Sequence, residues 1–287
     1  MSTTSLGGGV AVITGAARGL GKGIAQAAAA RGMSLVLADI DQNMLAATAA
    51  EFTAAGVETF AIPTDVTDPT ALDRLAEASY DRFGAVRLLV NNAGIEMLGN
   101  CWELSAAQWE QAIRVNVLGP IHGVRAFGAR MVAAQAPAYV LNIASLAAVS
   151  TMPVQTPYIA SKHALLSFSE CLFLEMQRAA PMIRVAVALP GPIATRIFAD
   201  AAVGGNPASV DHHRAAMEGA LAAIGMTPQA AAETILQQLI AGQFWIATHP
   251  EMLAEAAQRR ARHLATLANP QLQQEAEAIL GPASCAT

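Results

Sequence analysis

Apolar segments of strand length alternate with alanine-rich segments of helical length from residue 10 to about residue 247. This alternation is the pattern of repeated strand-helix-strand units, and it predicts a parallel sheet with helices on both faces. Unbroken apolar runs at residues 35–37 and 185–187 favour that arrangement, because a strand covered on both faces has no polar side to alternate with. The predicted strands are residues 10–14, 34–39, 58–62, 87–91, 139–144, 183–189 and 243–247. The sequence therefore predicts an α/β fold with a doubly wound parallel sheet of about seven strands.

Two segments interrupt this alternation. Residues 192–226 are too long for an ordinary loop and are rich in Ala, Gly and Met, so we expect a mobile substrate flap with short helices. Within it, His212 and His213 are expected to be exposed to solvent. Residues 250–287 predict a C-terminal helical extension that ends near Gly281 and Pro282. With 287 residues, the chain has the length of one large α/β domain, and we expect residues 1–287 to form a single domain.

Charge and composition exclude several classes of protein. Lys and Arg total 17 against 22 for Asp and Glu, a net charge of −5 with no basic block, so nucleic acid is not an expected partner. The chain is 54% apolar, and residues 131–161 carry no charge, but three prolines interrupt that stretch, so no membrane span is predicted. No charged n-region precedes an apolar core near the start, which predicts a cytoplasmic protein.

The three cysteines are Cys101, Cys171 and Cys285, and they are widely separated in the chain. They have no CxxC spacing and no paired histidines nearby, so reduced thiols are expected and no metal site is predicted.

A glycine-rich turn follows the first predicted strand and opens a helix. Gly15, Gly19 and Gly21 give it the spacing G-x3-G-x-G, with Arg18 and Leu20 inside it. Glycines let such a backbone approach a pyrophosphate, whose charge then lies at the helix N-terminus. The loop by itself is also compatible with an ordinary turn.

Asp39 closes the second predicted strand, 18 residues after Gly21. An acid at this place accepts hydrogen bonds from an adenosine ribose and repels a 2′-phosphate, which predicts NAD as the cofactor in preference to NADP. Two alternatives stay open. Asp39 could instead cap the following helix, a role that Asp41 fills equally well, and the Arg18 guanidinium could partly neutralise a 2′-phosphate.

Tyr158 and Lys162 stand four residues apart, just after the helix-starting Pro157. This spacing places a phenol and an ammonium on one helix face. We expect the ammonium to lower the tyrosine pKa from its reference value of about 10 and so to prepare it for proton exchange with an alcohol. A structural contact between the two side chains is the alternative.

With these features, the chain resembles the short-chain dehydrogenase/reductase family, in its subgroup of single-domain chains, over roughly residues 9–250. Four further motifs appear in the family's order. They are Asp65-Val66, Asn91-Asn92-Ala93-Gly94, Asn142-Ile143-Ala144-Ser145 and Pro190-Gly191-Pro192-Ile193-Ala194-Thr195, with the helix asparagine Asn116 between the second and the third. The resemblance implies a Rossmann-like fold.

The resemblance also implies roles for these residues. Asp65 and Val66 would contact adenine, and Asn92, Ala93 and Gly94 would close a turn over the cofactor. Pro190, Gly191, Ile193 and Thr195 would lie on the nicotinamide side. Ser145 would hold the substrate oxygen and Tyr158 would exchange its proton. Lys162 would bind the nicotinamide ribose, and Asn116 would hold a water that links Lys162 to solvent.

The substrate pocket is expected to be apolar. Its candidate wall residues are Met152, Pro153, Val154, Phe198, Met217, Met226 and Trp245. Such walls predict a bulky hydrophobic secondary alcohol or ketone, aromatic or alicyclic, and hence an NAD-dependent alcohol dehydrogenase or ketone reductase. The C-terminal part faintly resembles family members that oxidise benzylic alcohols of lignin-derived aryl ethers. The alternatives are an NADP-dependent carbonyl reductase, a non-catalytic nucleotide-binding regulatory protein on the same fold, and a sugar-nucleotide epimerase or dehydratase.

The helix that begins at Pro157 carries more apolar side chains than one sheet face is expected to bury. These are Leu165, Leu166, Phe168, Leu172 and Phe173. Pairing of this helix across a symmetric interface would cover the excess, which predicts a homodimer or homotetramer.

Overall fold

The computed structural model describes residues 6–205, 207–272 and 274–280. Its strands are β1 (Val10–Thr14), β2 (Ser34–Asp39), β3 (Thr59–Pro63), β4 (Leu88–Asn91), β5 (Met97–Leu98), β6 (Ala138–Ile143), β7 (Ile183–Leu189), β8 (Ala202–Val203) and β9 (Trp245–Ala247). Seven of them form one parallel sheet in the order β3-β2-β1-β4-β6-β7-β9. The predicted sheet is therefore confirmed, with strand ends within two residues of those expected.

The strand order reverses direction between β1 and β4, since the chain first builds outward to β3 and then returns to the other side of β1. In open α/β sheets this switch point leaves a crevice at the carboxyl ends of the strands, and dinucleotides bind there. Three turns follow strands at this edge: the glycine-rich turn at residues 15–21, which we call the phosphate loop, the turn at Asn92 after β4 and the turn at Ser145 after β6.

The helices are α1 (Gly19–Ala29), α2 (Gln42–Ala54), α3 (Pro69–Phe83), α4 (Ala106–Ile113), α5 (Gly119–Ala133), α6 (Thr156–Ala179), α7 (Pro207–Ile224), α8 (Pro228–Ile240), α9 (Pro250–Thr266) and α10 (Gln274–Leu280). A π-helical turn, Arg114–Leu118, joins α4 to α5, and a 3-10 turn, Leu146–Ala148, follows β6.

The helices cover both faces of the sheet. On one face Ile24 of α1 and Ile235 of α8 pack against the apolar side chains of the strands. On the other face Leu72 of α3, Phe127 of α5 and Leu172 of α6 do the same. Each fully buried side chain of this size contributes roughly 1.5 to 3 kcal/mol, so the two layers hold the sheet and its functional edge in place.

The flap predicted at residues 192–226 differs from the expectation in its helices. It contains the short strand β8 and one helix of 18 residues, α7, instead of several short helices. Its two ends are joined, because Ala194 N donates to Met226 O at 2.9 Å and Met226 N donates to Pro192 O at 3.0 Å. The mobility of this segment remains a prediction.

The two-residue strands β5 and β8 form a second sheet that the sequence did not predict. It ties the flap to the segment after Gly94, and a cluster of Leu98, Val154, Phe198 and Val210 packs around it. The attachments of the flap to the domain thus include β8 and the joined ends of the flap at Pro192, Ala194 and Met226, which we call the flap neck.

The predicted C-terminal extension is helical where the structure describes it, in α9 and α10. Gly281, Pro282 and Cys285 lie outside the described residues. No helix in the described part of the chain is both long and apolar enough to cross a bilayer.

The apolar side chains of α6 do not form the surplus that the sequence indicated. Leu165, Leu166 and Leu172 are buried within the protomer, and Phe168 and Phe173 pack against the same core. On the outer side of α6, the exposed large apolar residue is Leu174. The expected surplus of apolar surface on α6 was therefore wrong. The homodimer or homotetramer stays a prediction that this surface no longer supports.

Candidate active site

The glycine-rich loop folds tightly around Asn92. Gly15 has a φ of +63°, and Asn92 Nδ2 donates to Thr14 O at 2.9 Å and to Gly15 O at 3.1 Å. A Cβ on Gly21 would collide with the Gly15 carbonyl and would lie 2.5 Å from Asn92 Nδ2. Gly15 and Gly21 therefore have to be glycines for the loop to close against the Asn92 turn.

Helix α1 begins in this loop without a side-chain cap. Arg18 is its N-cap residue in an extended conformation, and no side chain accepts a hydrogen bond from the first turn. The first N–H groups of a helix have no partner within the helix and carry a partial positive charge. This N-terminus therefore fits the pyrophosphate of a dinucleotide.

Asp39 lies at the end of β2 against the same loop. Its Oδ2 accepts a hydrogen bond from Ala17 N and its Oδ1 accepts one from Asp41 N, both at 3.0 Å. Asp41, and not Asp39, caps α2, by accepting a hydrogen bond from Met44 N at 3.0 Å. The structure thus separates the two roles that the sequence left open, and leaves Asp39 beside the cofactor crevice.

Arg18 is paired with an acid of the flap. Its Nη2 lies 3.2 Å from Oδ2 of Asp200, and Asp200 also pairs with Arg196 at 2.9 Å. The guanidinium that could partly neutralise a 2′-phosphate is therefore engaged by a carboxylate.

Asp65 and Val66 follow β3, next to Asp39 in the sheet. Thr64 N donates to the Asp39 carbonyl at 2.9 Å, and Asp65 Oδ1 accepts a hydrogen bond from Thr67 N at 2.9 Å. Val66 is buried against Gly119, where a Cβ would lie 3.0 Å from its Cγ2. Both residues therefore lie at the carboxyl end of β3, beside Asp39.

Tyr158 and Lys162 lie on one buried face at the start of α6. Lys162 Nζ lies 5.4 Å from the centroid of the Tyr158 ring and donates to Ile143 O at 3.0 Å. Ser145, directly after β6, is hydrogen-bonded to the Tyr158 side chain, and its Oγ accepts a hydrogen bond from Ala147 N at 3.1 Å. Three of the four predicted catalytic side chains, those of Ser145, Tyr158 and Lys162, are thus brought together at the carboxyl edge of the sheet.

Asn116 lies in the π-helical turn and holds the segment after Gly94. Its Oδ1 accepts a hydrogen bond from Ile95 N at 2.9 Å, and its Nδ2 donates to Ile95 O at 2.9 Å and to Ser161 Oγ at 3.0 Å. Both N–H donors of the side-chain amide are therefore used, and its oxygen accepts one hydrogen bond. A Cβ on Gly94 would lie 3.3 Å from Asn116 Oδ1 and 3.4 Å from Lys162 Nζ, so this turn closes directly over both residues.

The expected pKa shift of Tyr158 was wrong in direction. Burial raises the pKa of Tyr158 above its usual value, the Glu96 charge raises it further, and the hydrogen bond from Ser145 lowers it only in part. Burial also lowers the pKa of Lys162 to about 8. Desolvation disfavours the charged form of each group, and it is the largest cause of both pKa shifts in this buried site.

Glu96 belongs to this cluster, and the sequence reading missed it. The side chain is 2% exposed, and burial raises its pKa to about 8, against the lowering effects of the Met97 N–H and the Lys162 charge. Its position between the apolar residues Ile95 and Met97 was the available signal, since an acid within a buried apolar segment requires a partner or a function.

The motif at residues 190–195 lies between the Ser145 turn and the phosphate loop. Leu146 N donates to Pro190 O at 2.9 Å, and Gly191 N donates to Thr248 Oγ1 at 3.0 Å. A Cβ on Gly19 would lie 3.5 Å from Cγ2 of Thr195, so the two motifs meet across the crevice. Ile193 is buried beside the flap neck through its pairing with Met226.

The predicted substrate walls are only partly brought together. Val154 and Phe198 share a buried cluster, against which Met217 packs, while Met226 lies at the flap neck, Met152 is half-buried and Pro153 is exposed. Trp245 was wrong as a wall residue. It lies on the edge strand β9, is 47% exposed, and packs edge-on against Phe244, with ring centroids 5.2 Å apart.

His213 corrects a second expectation about the flap. It is fully buried, and its Nε2 lies 2.8 Å from Nε2 of Gln155, three residues before Tyr158, while His212 is exposed as expected. Burial lowers the pKa of His213 to about 4, so this imidazole is neutral at physiological pH. A polar contact therefore joins α7 to the segment that leads into the Tyr158 helix.

In the described residues, no group of three or more His, Cys, Asp and Glu side chains is placed to hold a metal ion. Cys101 and Cys171 are free thiols at the surface.

Comparison with known proteins gives a consistent picture. The family model described as short chain dehydrogenase matches residues 9–203. A CLA biosynthesis dehydrogenase/reductase from Lactiplantibacillus plantarum is 35% identical over 189 residues, which cover 66% of this chain and 66% of that protein, just under two thirds of its length.

Two solved structures resemble the fold described above. The short chain dehydrogenase/reductase from Burkholderia phymatum, in complex with NAD, has a TM-score of 0.88 and 32% identity, covering 94% of this chain and 98% of that one. An alcohol dehydrogenase from the archaeon Thermococcus sibiricus, complexed with 5-hydroxy-NADP, has a TM-score of 0.68 and 26% identity, covering 84% and 95%. Similar proteins therefore occur with either type of nicotinamide dinucleotide.

Proposed function

Because the chain belongs to the short-chain dehydrogenase/reductase family, we propose that it transfers a hydride between NAD(H) and a bulky hydrophobic secondary alcohol or ketone. The observation that carries this proposal is the meeting of Ser145, Tyr158 and Lys162 on one buried face beside the crevice. A nicotinamide dinucleotide bound in that crevice would supply the hydride acceptor or donor.

The chain's own residues account for the proton. In alcohol oxidation, Ser145 hydrogen-bonds the substrate oxygen and Tyr158 accepts the hydroxyl proton as general base; in ketone reduction, Tyr158 donates it. Because burial opposes the phenolate, Tyr158 needs a nearby positive charge when it ionises, and the Lys162 ammonium is the nearest one. Asn116 contributes by holding the backbone of Ile95, and therefore the turn that closes over Lys162.

Two contacts support NAD over NADP. The Asp39 carboxylate lies beside the loop, where it would accept hydrogen bonds from a ribose and would repel a 2′-phosphate. Arg18 is paired with Asp200 of the flap, which engages its guanidinium. An NADP-dependent carbonyl reductase is the second candidate, because Arg18 is half-exposed and a 2′-phosphate could compete for it.

The character of the substrate is inferred from the flap. Leu98, Val154, Phe198 and Val210 form an apolar cluster between the flap and β5, directly before the Tyr158 helix. Such a surface favours an aromatic or alicyclic group over a charged one. The cytoplasmic location and the homodimer or homotetramer stay predictions of the sequence.

The direct test is the absorbance of reduced cofactor in a panel of secondary alcohols and ketones with NAD(H) and NADP(H). The panel pairs each aromatic or alicyclic alcohol with a short aliphatic alcohol of the same stereochemistry. We expect NAD reduction with the bulky members and little with the short ones. Binding of NAD without turnover of any member in either direction would favour the non-catalytic alternative.

A further inference from the structure

Glu96 lies in the most protected part of the site. It comes directly before β5 and two residues after Gly94, and 2% of its surface is exposed. Ile95, on one side, is held by two hydrogen bonds of the Asn116 amide, and Met97 and Leu98, on the other, pair with Ala202 and Val203 of β8. The backbone that carries Glu96 is therefore fixed at both ends.

The two carboxyl oxygens of Glu96 have different surroundings. Oε1 accepts a hydrogen bond from Met97 N at 3.0 Å. Oε2 is buried and has no hydrogen-bond partner among the described residues. A buried carboxyl oxygen without a partner costs free energy, so its retention in an otherwise apolar segment requires a reason other than stability.

The charged neighbours of Glu96 are the proposed acid/base pair. Helix α6 supplies Lys162, whose positive charge acts on Glu96, and Tyr158, whose pKa the Glu96 charge raises. β8 contributes only Ala202 and Val203, and the turn before α6 contacts β5 through the Val154 carbonyl, which accepts a hydrogen bond from Gly99 N at 2.8 Å. Within the described part of the chain, Lys162 is the one charged side chain with a resolved effect on Glu96.

We propose that Glu96 is a positioning residue of the reaction: its carboxyl shares a water-excluded chamber with Tyr158 and Lys162 and controls how readily that pair releases the proton taken from the alcohol. The inference rests on the proposed function. Glu96 makes no bond to the reacting atoms. Its charge acts on Tyr158 and Lys162, which carry out the proton transfer.

The sign of the effect follows from the charges. Above a pH of about 8, where Glu96 is ionised, its negative charge opposes the loss of a proton from the pair, because the product of that loss carries one more negative charge. Replacing Glu96 by the neutral and isosteric Gln should let the pair deprotonate at lower pH. A neighbouring charge in a buried site typically shifts a pKa by about one unit or more.

The test is the pH dependence of kcat/KM for alcohol oxidation in Glu96→Gln, Glu96→Asp and a matched control, Glu110→Gln, which changes an exposed acid on α4. We expect the midpoint of the profile to move toward acid by about one pH unit or more in Glu96→Gln. Glu96→Asp keeps the charge and should stay near the unchanged protein, as should Glu110→Gln. A Glu96→Gln profile that superimposes on that of the unchanged protein would overturn the proposal.

A second measurement needs no turnover and so separates this inference from the proposed function. In protein labelled with carbon-13 at the glutamate carboxyl, one resonance should titrate well above the ordinary range of a glutamate, vanish in Glu96→Asp, and move to still higher pH in Lys162→Met. A Glu96 carboxyl that titrates in the ordinary range would refute the inference even if the dehydrogenase is active. If Glu96 titrates as expected but the protein turns over no alcohol, the coupling of Glu96 and Lys162 is supported. The absence of turnover then contradicts the proposed function.

Discussion

Arg18 in the phosphate loop and Asp200 in the flap form an ion pair, with 3.2 Å between Nη2 and Oδ2. The pair links the residue that precedes α1 to the flap. It also engages the guanidinium that could otherwise partly neutralise a 2′-phosphate.

Asp200→Asn should therefore weaken the discrimination against NADP, because Arg18 is released. The pair is partly exposed and contributes up to about 1 kcal/mol, so the ratio of kcat/KM for NAD and NADP should change by about five-fold at most. Arg196→Gln is the control, since it removes the other partner of Asp200 and leaves Arg18 paired. An unchanged ratio in Asp200→Asn would show that Asp200 does not restrain Arg18.

Asp39→Ala should narrow the preference for NAD more strongly than Asp200→Asn, by removing both the ribose acceptor and the repulsion of a 2′-phosphate. It should also lower the melting temperature, because the N–H groups of Ala17 and Asp41 lose their acceptor. Asp41→Ala changes the same charge two residues away but affects only the cap of α2, and should leave the cofactor ratio unchanged. Equal kcat/KM for NAD and NADP in the unmodified protein would contradict the assignment of Asp39.

Gly21→Ala and Gly219→Ala should have opposite effects on stability. A methyl group at Gly21 would collide with the Gly15 carbonyl, and overpacking of this kind costs about 1 to 3 kcal/mol. Gly219 lies exposed in α7 with no atom near its would-be Cβ, so alanine there should stabilise the helix by about 0.5 to 1 kcal/mol. Urea unfolding of both variants measures the difference, and a Gly21→Ala protein as stable as the unmodified one would mean that the loop is not packed as described.

Glu96 should make the protein less stable as the pH rises. Its pKa is about 8 in the folded protein, against a reference value of 4.5. Between these two pH values the carboxyl of the folded protein is protonated, whereas that of the unfolded chain is ionised. The stabilising contribution of that proton is complete below the reference value and is lost as the pH rises through about 8. Glu96→Gln lacks this loss, so its melting temperature relative to the unmodified protein should increase over the same range. A constant difference between the two melting curves across this range would argue against a buried, protonated Glu96.

The sequence predicted the elements that local chemistry determines. The strands could be predicted because a strand that is covered on both faces has an unbroken apolar run. The phosphate loop could be predicted from the spacing of its glycines, because Gly15 and Gly21 lie where a side chain would prevent the loop from closing. Tyr158 and Lys162 could be identified from their spacing after a helix start, whereas Ser145 was identified through the family that the chain resembles.

The features that sequence reasoning missed depend on contacts between distant segments. The strands β5 and β8 have two residues each and exist only because the flap returns to the main domain. The burial of His213 and Glu96 depends on the same return, as does the raised pKa of Tyr158, since neither the desolvation nor the Glu96 charge is visible in the Tyr-x3-Lys spacing. Trp245 was misplaced because its strand lies at the sheet edge, where its ring packs on Phe244 instead of on substrate.

The rate of hydride transfer in Tyr158→Phe, measured in a single turnover with saturating NAD and the best alcohol of the panel, tests the central claim most directly. The substitution removes the transferable proton and keeps the ring, so we expect the rate to fall by about 100- to 10,000-fold while NAD affinity stays within a few-fold. Tyr80→Phe provides the control, because that phenol lies on α3, where its hydroxyl donates to Phe127 O, away from the crevice. A Tyr158→Phe rate within about ten-fold of the unmodified protein would contradict the assignment of Tyr158 as the acid/base group.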